Sequence, residues 1–379
     1  MKNGEKPVAV IEKRDAGIVS VVAGEKDASR VHNKGAFGTP GSGGRLVLDP
    51  FETVFLTEVG RITLLEKDKK EGGTGGGPMG FESAFRFFSS AVEGFEIRYL
   101  VYRDLRTRGF ITKWWGEEAD FRVYERGSWP GRDLPGFWVT CFSERWPVKV
   151  EDLLPTVKRG FSLGKNVMAA IVDEEGDITY YALSMRHPEG FLPSPVPPGW
   201  KGTGVFFGDR IIVFEDAGEK LFSWGFYGKK MRDAIQISLV EGAFLMDRGL
   251  RVVDSASGEV LEKKDLEKVG DEIEPLFALR LRVYTDLRQR GLIPKTGFKY
   301  GSHFRAYDIH PDQGHARFLV HSIPQGQTLS WHEISRGVRL AHGVKKEFLL
   351  ATPSPDNDKE GKEVNREEII YLRMRWVSP

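Results

Sequence analysis

Apolar residues recur at helical spacing in two long segments of the chain, residues 81–109 and residues 275–291. Both segments end at a glycine, which is typical of the end of a helix. Short alternations of apolar and polar residues follow and predict strands, at FRVY and FWVTCF in the first half and at FRAY and RFLVHSI in the second. A further helix is predicted over residues 328–343, with strands at KEFLLAT and EIIYLRMRWV. The order of strands and helices in each half predicts a mixed α/β layer.

The two halves are copies of one unit. Residues 99–127 and residues 281–309 share the pattern V-Y-x-D-L-R-x-R-G-x-I-x-K, followed in both by an aromatic stretch and F-R-x-Y. The similarity extends upstream, to GAFG at residues 35–38 and GFYG at residues 225–228. A match of this length at a nearly constant offset is not expected by chance. The chain is therefore a tandem duplication of a unit of roughly 180 residues.

Segments rich in proline and glycine divide the repeats further. A proline-rich segment at residues 187–199 joins the two halves. Its prolines prevent a helix, so we expect an extended spacer. A glycine-rich seam at residues 71–80 divides the first repeat into a smaller and a larger part. We therefore expect the chain to be organised in five segments: 1–79, 80–186, 187–199, 200–270 and 271–379.

Composition limits the chemistry. The net charge is only +1, so binding to nucleic acid would depend on local basic patches. The single cysteine, Cys141, excludes a disulfide framework and a zinc site with several cysteines, and it is expected to be buried. No apolar run approaches the ~20 residues that cross a bilayer, and the N-terminus lacks the apolar core of a signal peptide. A cytoplasmic location is the expectation.

Histidine is distributed unevenly between the repeats. The second repeat holds six of the eight histidines, whereas the corresponding part of the first has none; the six are His303, His310, His315, His321, His332 and His342. This asymmetry predicts that the chemistry lies in the second half. The spacings match no compact metal-binding pattern, which favours proton transfer by one histidine near neutral pH. A metal-dependent nuclease that uses the histidine cluster stays open as an alternative.

The segment VYTDLRQRGLIPKTGFKYGSHFRAYD, with GHARFLV and EISRGVRLAHGVKKEFLLA after it, resembles the catalytic unit of archaeal tRNA-intron endonucleases of the two-repeat, homodimeric type. The resemblance implies an α/β (mixed α+β) fold. Each repeat would have a small N-terminal α/β subdomain and a restriction-endonuclease-like nuclease subdomain with a central mixed sheet. Residues 271–379 would be catalytic and residues 80–186 a degenerate copy.

The same resemblance implies a function. Enzymes of this family cut precursor tRNA at bulge–helix–bulge structures without metal or cofactor, and the ribose 2′-hydroxyl next to the scissile phosphate is the nucleophile. The products would be a 2′,3′-cyclic phosphate and a 5′-hydroxyl. The alternative outside catalysis is a structural RNA-binding subunit that pairs with a separate catalytic chain.

The family's three catalytic positions fall on Tyr307 in HFRAY, His315 in HARFLV and Lys346 in VRLAHGVKKE. The resemblance suggests a base, a general acid and an electrostatic stabiliser, in that order. A free tyrosine phenol has a pKa of about 10, so a nearby cation such as the lysine would be required to favour the phenolate. Lys345 directly precedes Lys346, so the catalytic lysine could be either of these two residues. The residue after the histidine is Ala316, where the family usually has serine.

The first repeat keeps two of these three positions. Tyr124 and Lys165 correspond to the tyrosine and the lysine, but no histidine stands beside FWVTCF. This is the pattern expected of a degenerate copy, in which the scaffold persists without the chemistry.

Further residues are implied in RNA binding. Arg339 matches a family arginine that clamps a bulged base, and the second clamp arginine on the last strand is Arg373 or Arg375. We expect three other cations to line the same face and to meet phosphates: Lys295, Lys299 and Arg305.

Two corresponding loops of the repeats have different expected roles. The acidic run predicts a solvated hairpin turn, and the resemblance makes it a dimer contact; its residues are Asp173, Glu174, Glu175 and Asp177. The corresponding loop of the second repeat, residues 353–368, is expected to be exposed and mobile.

Overall fold

The structure, a computed structural model, describes residues 5–15, 17–66, 77–191, 196–354 and 368–379. The predictions for the glycine seam and for the loop at 353–368 fall mainly on residues outside this set. The chain forms two units, one with residues 1–146, 159–181 and 377–379, the other with residues 147–158 and 182–376. In the described parts of the chain, no helix is long and apolar enough to cross a membrane.

The first unit begins with a five-stranded sheet of order β3-β4-β2-β1-β5, in which only the β1–β5 pair is parallel. Asp49 and Glu52 form a capping box, and Pro50 starts helix α2, as expected for a helix N-terminus. The elements are β1 (Val8–Arg14), β2 (Gly17–Val22), α1 (Glu25–His32), β3 (Thr39–Pro40), β4 (Leu46–Leu48), α2 (Pro50–Glu58) and β5 (Thr63–Glu66).

The second part of the first repeat contains a group of paired strands, in which β8 and β10 run parallel and β6, β7 and β8 form an antiparallel meander. The elements are α3 (Phe81–Ala91), α4 (Phe95–Thr107), β6 (Ile111–Trp114), β7 (Phe121–Tyr124), β8 (Phe137–Ser143), β9 (Val148–Lys149), α5 (Val150–Ser162), β10 (Asn166–Val172) and β11 (Ile178–Arg186). Cys141 on β8 is buried, as predicted, and burial raises the pKa of its thiol.

The prediction of one helix over residues 81–109 is wrong, because the segment forms two. Val92 is extended, and Gly94 has a left-handed backbone with φ +60°. Three consecutive residues thus leave the helical path and turn the chain, which lets aromatic residues from both helices pack together. Phe85 of α3 meets Phe95 and Tyr99 of α4 with ring centroids 5.6 and 5.5 Å apart. Helical periodicity alone does not reveal such a break.

The second unit repeats the small N-terminal domain, with a sheet of order β14-β15-β13-β12-β16-β17. Ser238 and Glu241 form the capping box of α7, at the position where the first repeat has Asp49 and Glu52. The elements are β12 (Gly202–Phe206), β13 (Ile211–Phe214), α6 (Glu215–Gly225), β14 (Lys229–Lys230), β15 (Ala234–Ile237), α7 (Leu239–Met246), β16 (Leu250–Asp254), β17 (Val260–Leu261) and α8 (Lys263–Ile273).

The last domain contains the sheet β18-β19-β20-β22-β23, in which only β20 and β22 are parallel. One sheet face shares a buried cluster with α9, and α10 packs against β22. The elements are α9 (Phe277–Gln289), β18 (Ile293–Thr296), β19 (Phe304–Tyr307), β20 (Phe318–Ser322), β21 (Thr328–Leu329), α10 (Trp331–Gly343), β22 (Glu347–Pro353) and β23 (Ile369–Val377). The predicted mixed α/β fold is confirmed.

Each repeat contains the same buried ion pair. Lys113 lies 2.7 Å from Glu52 in the first repeat, and Lys295 lies 3.3 Å from Glu241 in the second. Lys295 also donates to the carbonyl of Gly228 at 2.7 Å. Burial alone would raise the pKa of Glu241, but the charge of Lys295 and the Gly228 N–H hold it below its ordinary value. Lys295 therefore joins the two domains of its repeat, and this pairing argues against its predicted contact with RNA phosphate.

Candidate active site

The backbone brings the segments of Tyr307, His315 and Lys346 to one edge of the last sheet. The N–H of Arg317 donates to the carbonyl of Ala306 at 3.0 Å, which places the end of β19 beside the start of β20. The N–H of Glu347 donates to the carbonyl of Arg317 at 2.9 Å, which adds the start of β22. Residues far apart in sequence thus meet in one row.

Side-chain contacts place Lys346 beside the loop that carries His315. The ammonium of Lys346 donates to the carbonyl of Ala316 at 2.6 Å, directly after His315. The same ammonium lies 5.9 Å from the ring centroid of Tyr300. His315 is exposed, whereas Tyr307 and Lys346 are half-buried. A cation is therefore held next to the histidine loop, and the imidazole is accessible to a large substrate.

Tyr307 lies on the sheet face opposite α9. Its strand neighbours Phe304 and Ala306 belong to the cluster packed on α9, and side chains alternate along a strand. The guanidinium of Arg305 lies 5.9 Å from the Tyr307 ring, on the same face. The guanidinium of Arg305 is thus a cationic neighbour of the Tyr307 ring.

The two adjacent lysines have different roles in the backbone. Lys345 is exposed and has a left-handed backbone with φ +55°, just after the end of α10. Glycine occupies the corresponding position of the first repeat, where Gly164 has φ +62°. Lys345 thus has a turn conformation that disfavours a side chain, and Lys346 is the lysine directed at the histidine loop.

We predict that Lys345→Gly raises the free energy of unfolding by about 0.5–1 kcal/mol, because glycine adopts this conformation without steric cost. Cleavage of RNA should change less than twofold. Lys346→Ala should instead lower the cleavage rate by about 10²- to 10³-fold, by removing charge stabilisation. Urea denaturation and a cleavage assay of both variants check the assignment, and the opposite pattern of rates would assign the lysine to position 345.

The first repeat reproduces this backbone without the histidine. The Gly136 N–H donates to the Val123 carbonyl at 2.9 Å, like Arg317 to Ala306 in the second repeat. By this register Tyr124 corresponds to Tyr307 and Lys165 to Lys346. Leu134 precedes Gly136 by two residues, as His315 precedes Arg317, and it is 76% exposed. A large exposed apolar side chain therefore replaces the imidazole in a preserved scaffold.

The arginines proposed for RNA binding lie in different surroundings. Arg339 is exposed on α10. Arg373 donates to the hydroxyl of Ser184 at 3.0 Å and lies 3.3 Å from the carboxylate of Glu347. It pairs with Leu349, which packs in the cluster on α9, so Arg373 and Arg375 lie on that face of the sheet. Arg375 is exposed, whereas Arg373 already has an anionic partner, and this argues against Arg373 as a clamp.

Sequence reasoning missed Trp376. Its ring lies 5.7 Å from that of His342, which follows Arg339 by one turn of α10, and the tryptophan is 47% exposed. Because Met374 pairs with Phe348, Trp376 lies level with Lys346. The signal in the sequence is an aromatic residue at the end of the last predicted strand, directly after Arg375.

Two other histidines form a separate pair. The rings of His303 and His321 stack at 4.3 Å, and the Ser322 N–H donates to Nδ1 of His303 at 2.9 Å. Burial, followed by the charge of His321, lowers the pKa of His303 to about 3. His321 also lines a cavity of about 270 Å³ beside α10. In the described segments, no group of three or more His, Cys, Asp or Glu side chains could hold a metal ion.

From the buried pair of His303 and His321 we predict that the fold loses stability in acid. His303 has a pKa below its ordinary value, so between about pH 6.5 and pH 3 the unfolded chain binds a proton that the folded chain does not. Stability from this group is therefore present above pH 6.5 and is lost as the pH falls, by at most about 1.4 kcal/mol per pH unit. His303→Asn, which keeps an acceptor for Ser322, should flatten the slope in urea denaturation from pH 7 to pH 4. An unchanged slope would contradict this role.

The acidic run forms a hairpin turn between β10 and β11, as predicted. The N–H of Asp173 donates to the carbonyl of Asp177 at 3.0 Å, and the carboxylate of Asp173 accepts from the Asp177 N–H at 2.8 Å. Glu174 is exposed and paired with Arg145. Asp173 thus shapes the turn, while Glu174, Glu175 and Asp177 present their charges to solvent.

Comparison with known proteins agrees with this arrangement of two similar repeats. The sequence matches "tRNA intron endonuclease, catalytic C-terminal domain" over residues 95–180 and again over residues 277–364. It matches "tRNA intron endonuclease, N-terminal domain" over residues 16–74 and 202–266. The chain belongs to the tRNA intron endonuclease family. The predicted family and enzyme class, an endoribonuclease of tRNA splicing, are thereby confirmed.

Relatives of this tRNA intron endonuclease chain extend over most of its length. A protein of Methanococcoides burtonii named tRNA-splicing endonuclease is 36% identical over 341 residues, covering 89% of this chain and 94% of the relative. Its namesake from Methanosarcina mazei is 34% identical over 93% of this chain and 97% of the relative. That from Natronomonas pharaonis is 32% identical over 96% of both. Both repeats therefore belong to the arrangement that these relatives share.

Proposed function

We propose that this endonuclease cuts precursor tRNA at intron–exon junctions of bulge–helix–bulge form, without metal, by attack of the RNA 2′-hydroxyl. The observation that carries the proposal is the meeting of the Tyr307, His315 and Lys346 segments at one sheet edge. The first repeat has the same edge but lacks the histidine. The difference also disfavours a purely structural role, because the second repeat keeps all three groups.

The chemistry follows from the three side chains. Tyr307, in its phenolate form, accepts the proton of the 2′-hydroxyl, whose oxygen then forms a bond to the adjacent phosphorus. The bond from phosphorus to the 5′-oxygen breaks, and His315 donates a proton to that oxygen. Lys346 stabilises the extra negative charge that develops on the phosphate oxygens in the transition state. The products are a 2′,3′-cyclic phosphate and a 5′-hydroxyl.

Bulge recognition depends on the surface around α10. Arg339 stacks its guanidinium on an unpaired base, as suits recognition of single-stranded bulges. The opposing partner is Arg375 or Trp376, since Arg373 is engaged with Glu347. Trp376 is favoured because it lies beside His342, on the side of the sheet that α10 covers.

We infer a homodimer in which the acidic hairpin docks on a second copy of the chain. Glu174, Glu175 and Asp177 are exposed at the tip of a rigid turn, where their charges can meet a basic surface. A contact of this kind weakens as salt screens the charges. Sedimentation at low and high salt, with a variant in which these three residues are neutralised, tests the assembly.

The proposed cleavage is tested with a bulge–helix–bulge RNA in buffer that contains EDTA, beside a fully paired RNA of the same length. Cleavage at both bulges and none in the paired RNA are expected. The matched control uses the first repeat, where Tyr124→Phe and Lys165→Ala should leave the rate unchanged, while Tyr307→Phe and Lys346→Ala slow it. Cleavage that requires a divalent metal would support the metal-dependent alternative instead.

A further inference from the structure

One arginine links the three catalytic segments of the second repeat. The guanidinium of Arg317 lies 2.9 Å from the carboxylate of Glu347 and 3.1 Å from that of Asp308. Its backbone N–H and carbonyl also bond to Ala306 and Glu347, at 3.0 and 2.9 Å. The side chain and the backbone of Arg317 therefore both bond to the end of β19 and to the start of β22.

The partners of Arg317 are adjacent to the proposed catalytic residues. Asp308 directly follows Tyr307, and Glu347 directly follows Lys346. Arg317 itself follows His315 by two residues, at the end of the exposed histidine loop. We propose that Arg317 is a positioning residue, which sets the spacing of the tyrosine, the histidine and the lysine through Asp308 and Glu347. The inference rests on the proposed function of those three residues.

Glu347 is the fixed point of this network. Its carboxylate is 21% exposed and also receives Arg186 at 3.2 Å and Arg373 at 3.3 Å. Burial alone would raise the pKa of Glu347, but the hydrogen bond from Arg317 and the charge of Arg186 hold it below its ordinary value. Three arginines around one carboxylate leave it little freedom to move, so a bond to it restrains the loop that carries His315.

The first repeat provides an internal comparison. By strand register Gly136 stands where the second repeat has Arg317, and Asn166 stands where it has Glu347. The first repeat has thus lost the bridging pair together with the histidine, while the tyrosine and the lysine remain. The bridge is therefore not needed for the bond between the first two of these strands, because the Gly136 N–H donates to the Val123 carbonyl as the Arg317 N–H does to that of Ala306.

A geometric role suits the chemistry and the arginine. In-line transfer at phosphorus needs its acid and its base on opposite sides at fixed distances, and a misplacement of about 1 Å can cost roughly 100-fold in rate. A guanidinium presents its donors in a rigid fork, so it can hold two carboxylates at a set separation. A lysine at the same place can approach either carboxylate but cannot fix both.

The test measures cleavage of a bulge–helix–bulge RNA under single-turnover conditions, together with the Kd of the RNA and the thermal midpoint of each variant. Arg317→Ala should lower the rate at saturating enzyme about 10- to 100-fold with an unchanged Kd, and Arg317→Lys should recover part of the loss. Asp308→Asn should cause a smaller loss. The control is Arg210→Ala, since Arg210 is also 48% exposed and pairs with Asp209, in the turn between β12 and β13.

The outcomes separate this inference from the proposed function. If Arg317→Ala weakens binding of RNA and leaves the saturated rate unchanged, Arg317 is a phosphate contact and the positioning role is wrong. If Arg317→Ala changes neither the cleavage rate nor the Kd of the RNA, while His315→Ala is inactive, only the positioning role is overturned. If His315→Ala is itself fully active, the proposed function fails before this inference applies.

Discussion

Replacing His315 with alanine is expected to slow cleavage of a bulge–helix–bulge RNA by about 10²- to 10⁴-fold, the usual contribution of a general acid. The imidazole is exposed, and its loop is held by the bond from Lys346 to the carbonyl of Ala316. Alanine keeps the backbone of the loop, so RNA affinity and stability should change little. The loss should appear in the single-turnover rate, measured with the enzyme in excess.

The control is another histidine of the same repeat. His332 is also exposed, but it lies in the first turn of α10, away from the sheet edge that carries the three segments. His332→Ala should leave the rate within about twofold of the parent chain, well below the contribution of an acid. A His315→Ala variant that cuts as fast as the parent would show that another group protonates the leaving oxygen.

Replacing Lys295 with methionine is expected to destabilise the second repeat by about 3–5 kcal/mol, because the carboxylate of Glu241 would remain buried without its partner. Methionine fills similar space, so the loss is electrostatic rather than a cavity. The Gly228 carbonyl would also lose a donor at 2.7 Å. Urea denaturation followed by fluorescence measures the change.

An exposed ion pair gives the matched control. Lys220 lies 2.5 Å from Asp216 on α6, with 47% of its side chain exposed, and Lys220→Met should cost less than about 1 kcal/mol. Lys113→Met removes the equivalent buried lysine of the first repeat and should cost as much as Lys295→Met. If Lys295→Met is as stable as the parent but binds RNA less tightly, the lysine contacts phosphate after all.

Much of the fold was accessible from the sequence because the chain repeats itself. The pattern V-Y-x-D-L-R-x-R-G appears in both copies, and each copy forms a helix, α4 or α9, that ends just before the predicted glycine. The break between α3 and α4 was not accessible. It depends on the left-handed backbone of Gly94 and on aromatic packing between the helices, neither of which disturbs helical periodicity.

The candidate site was accessible only in part. Resemblance indicated Tyr307, His315 and Lys346, and the contact with Ala316 favours Lys346 over Lys345. The partners of charged residues were hidden, because they come from distant parts of the chain. Arg373 pairs with Glu347, and Lys295 pairs with Glu241. A charge seen in sequence looks the same whether it meets solvent or a buried carboxylate.

The central claim is that the RNA supplies its own nucleophile, and one substrate tests it directly. It is a bulge–helix–bulge RNA with a single 2′-deoxy residue on the 5′ side of one scissile phosphate, incubated with the parent chain in EDTA. We predict that the modified junction stays intact, while the unmodified junction is cut to a 2′,3′-cyclic phosphate and a 5′-hydroxyl. Cleavage at the 2′-deoxy junction would mean that water or a protein group attacks the phosphorus, and would contradict the account.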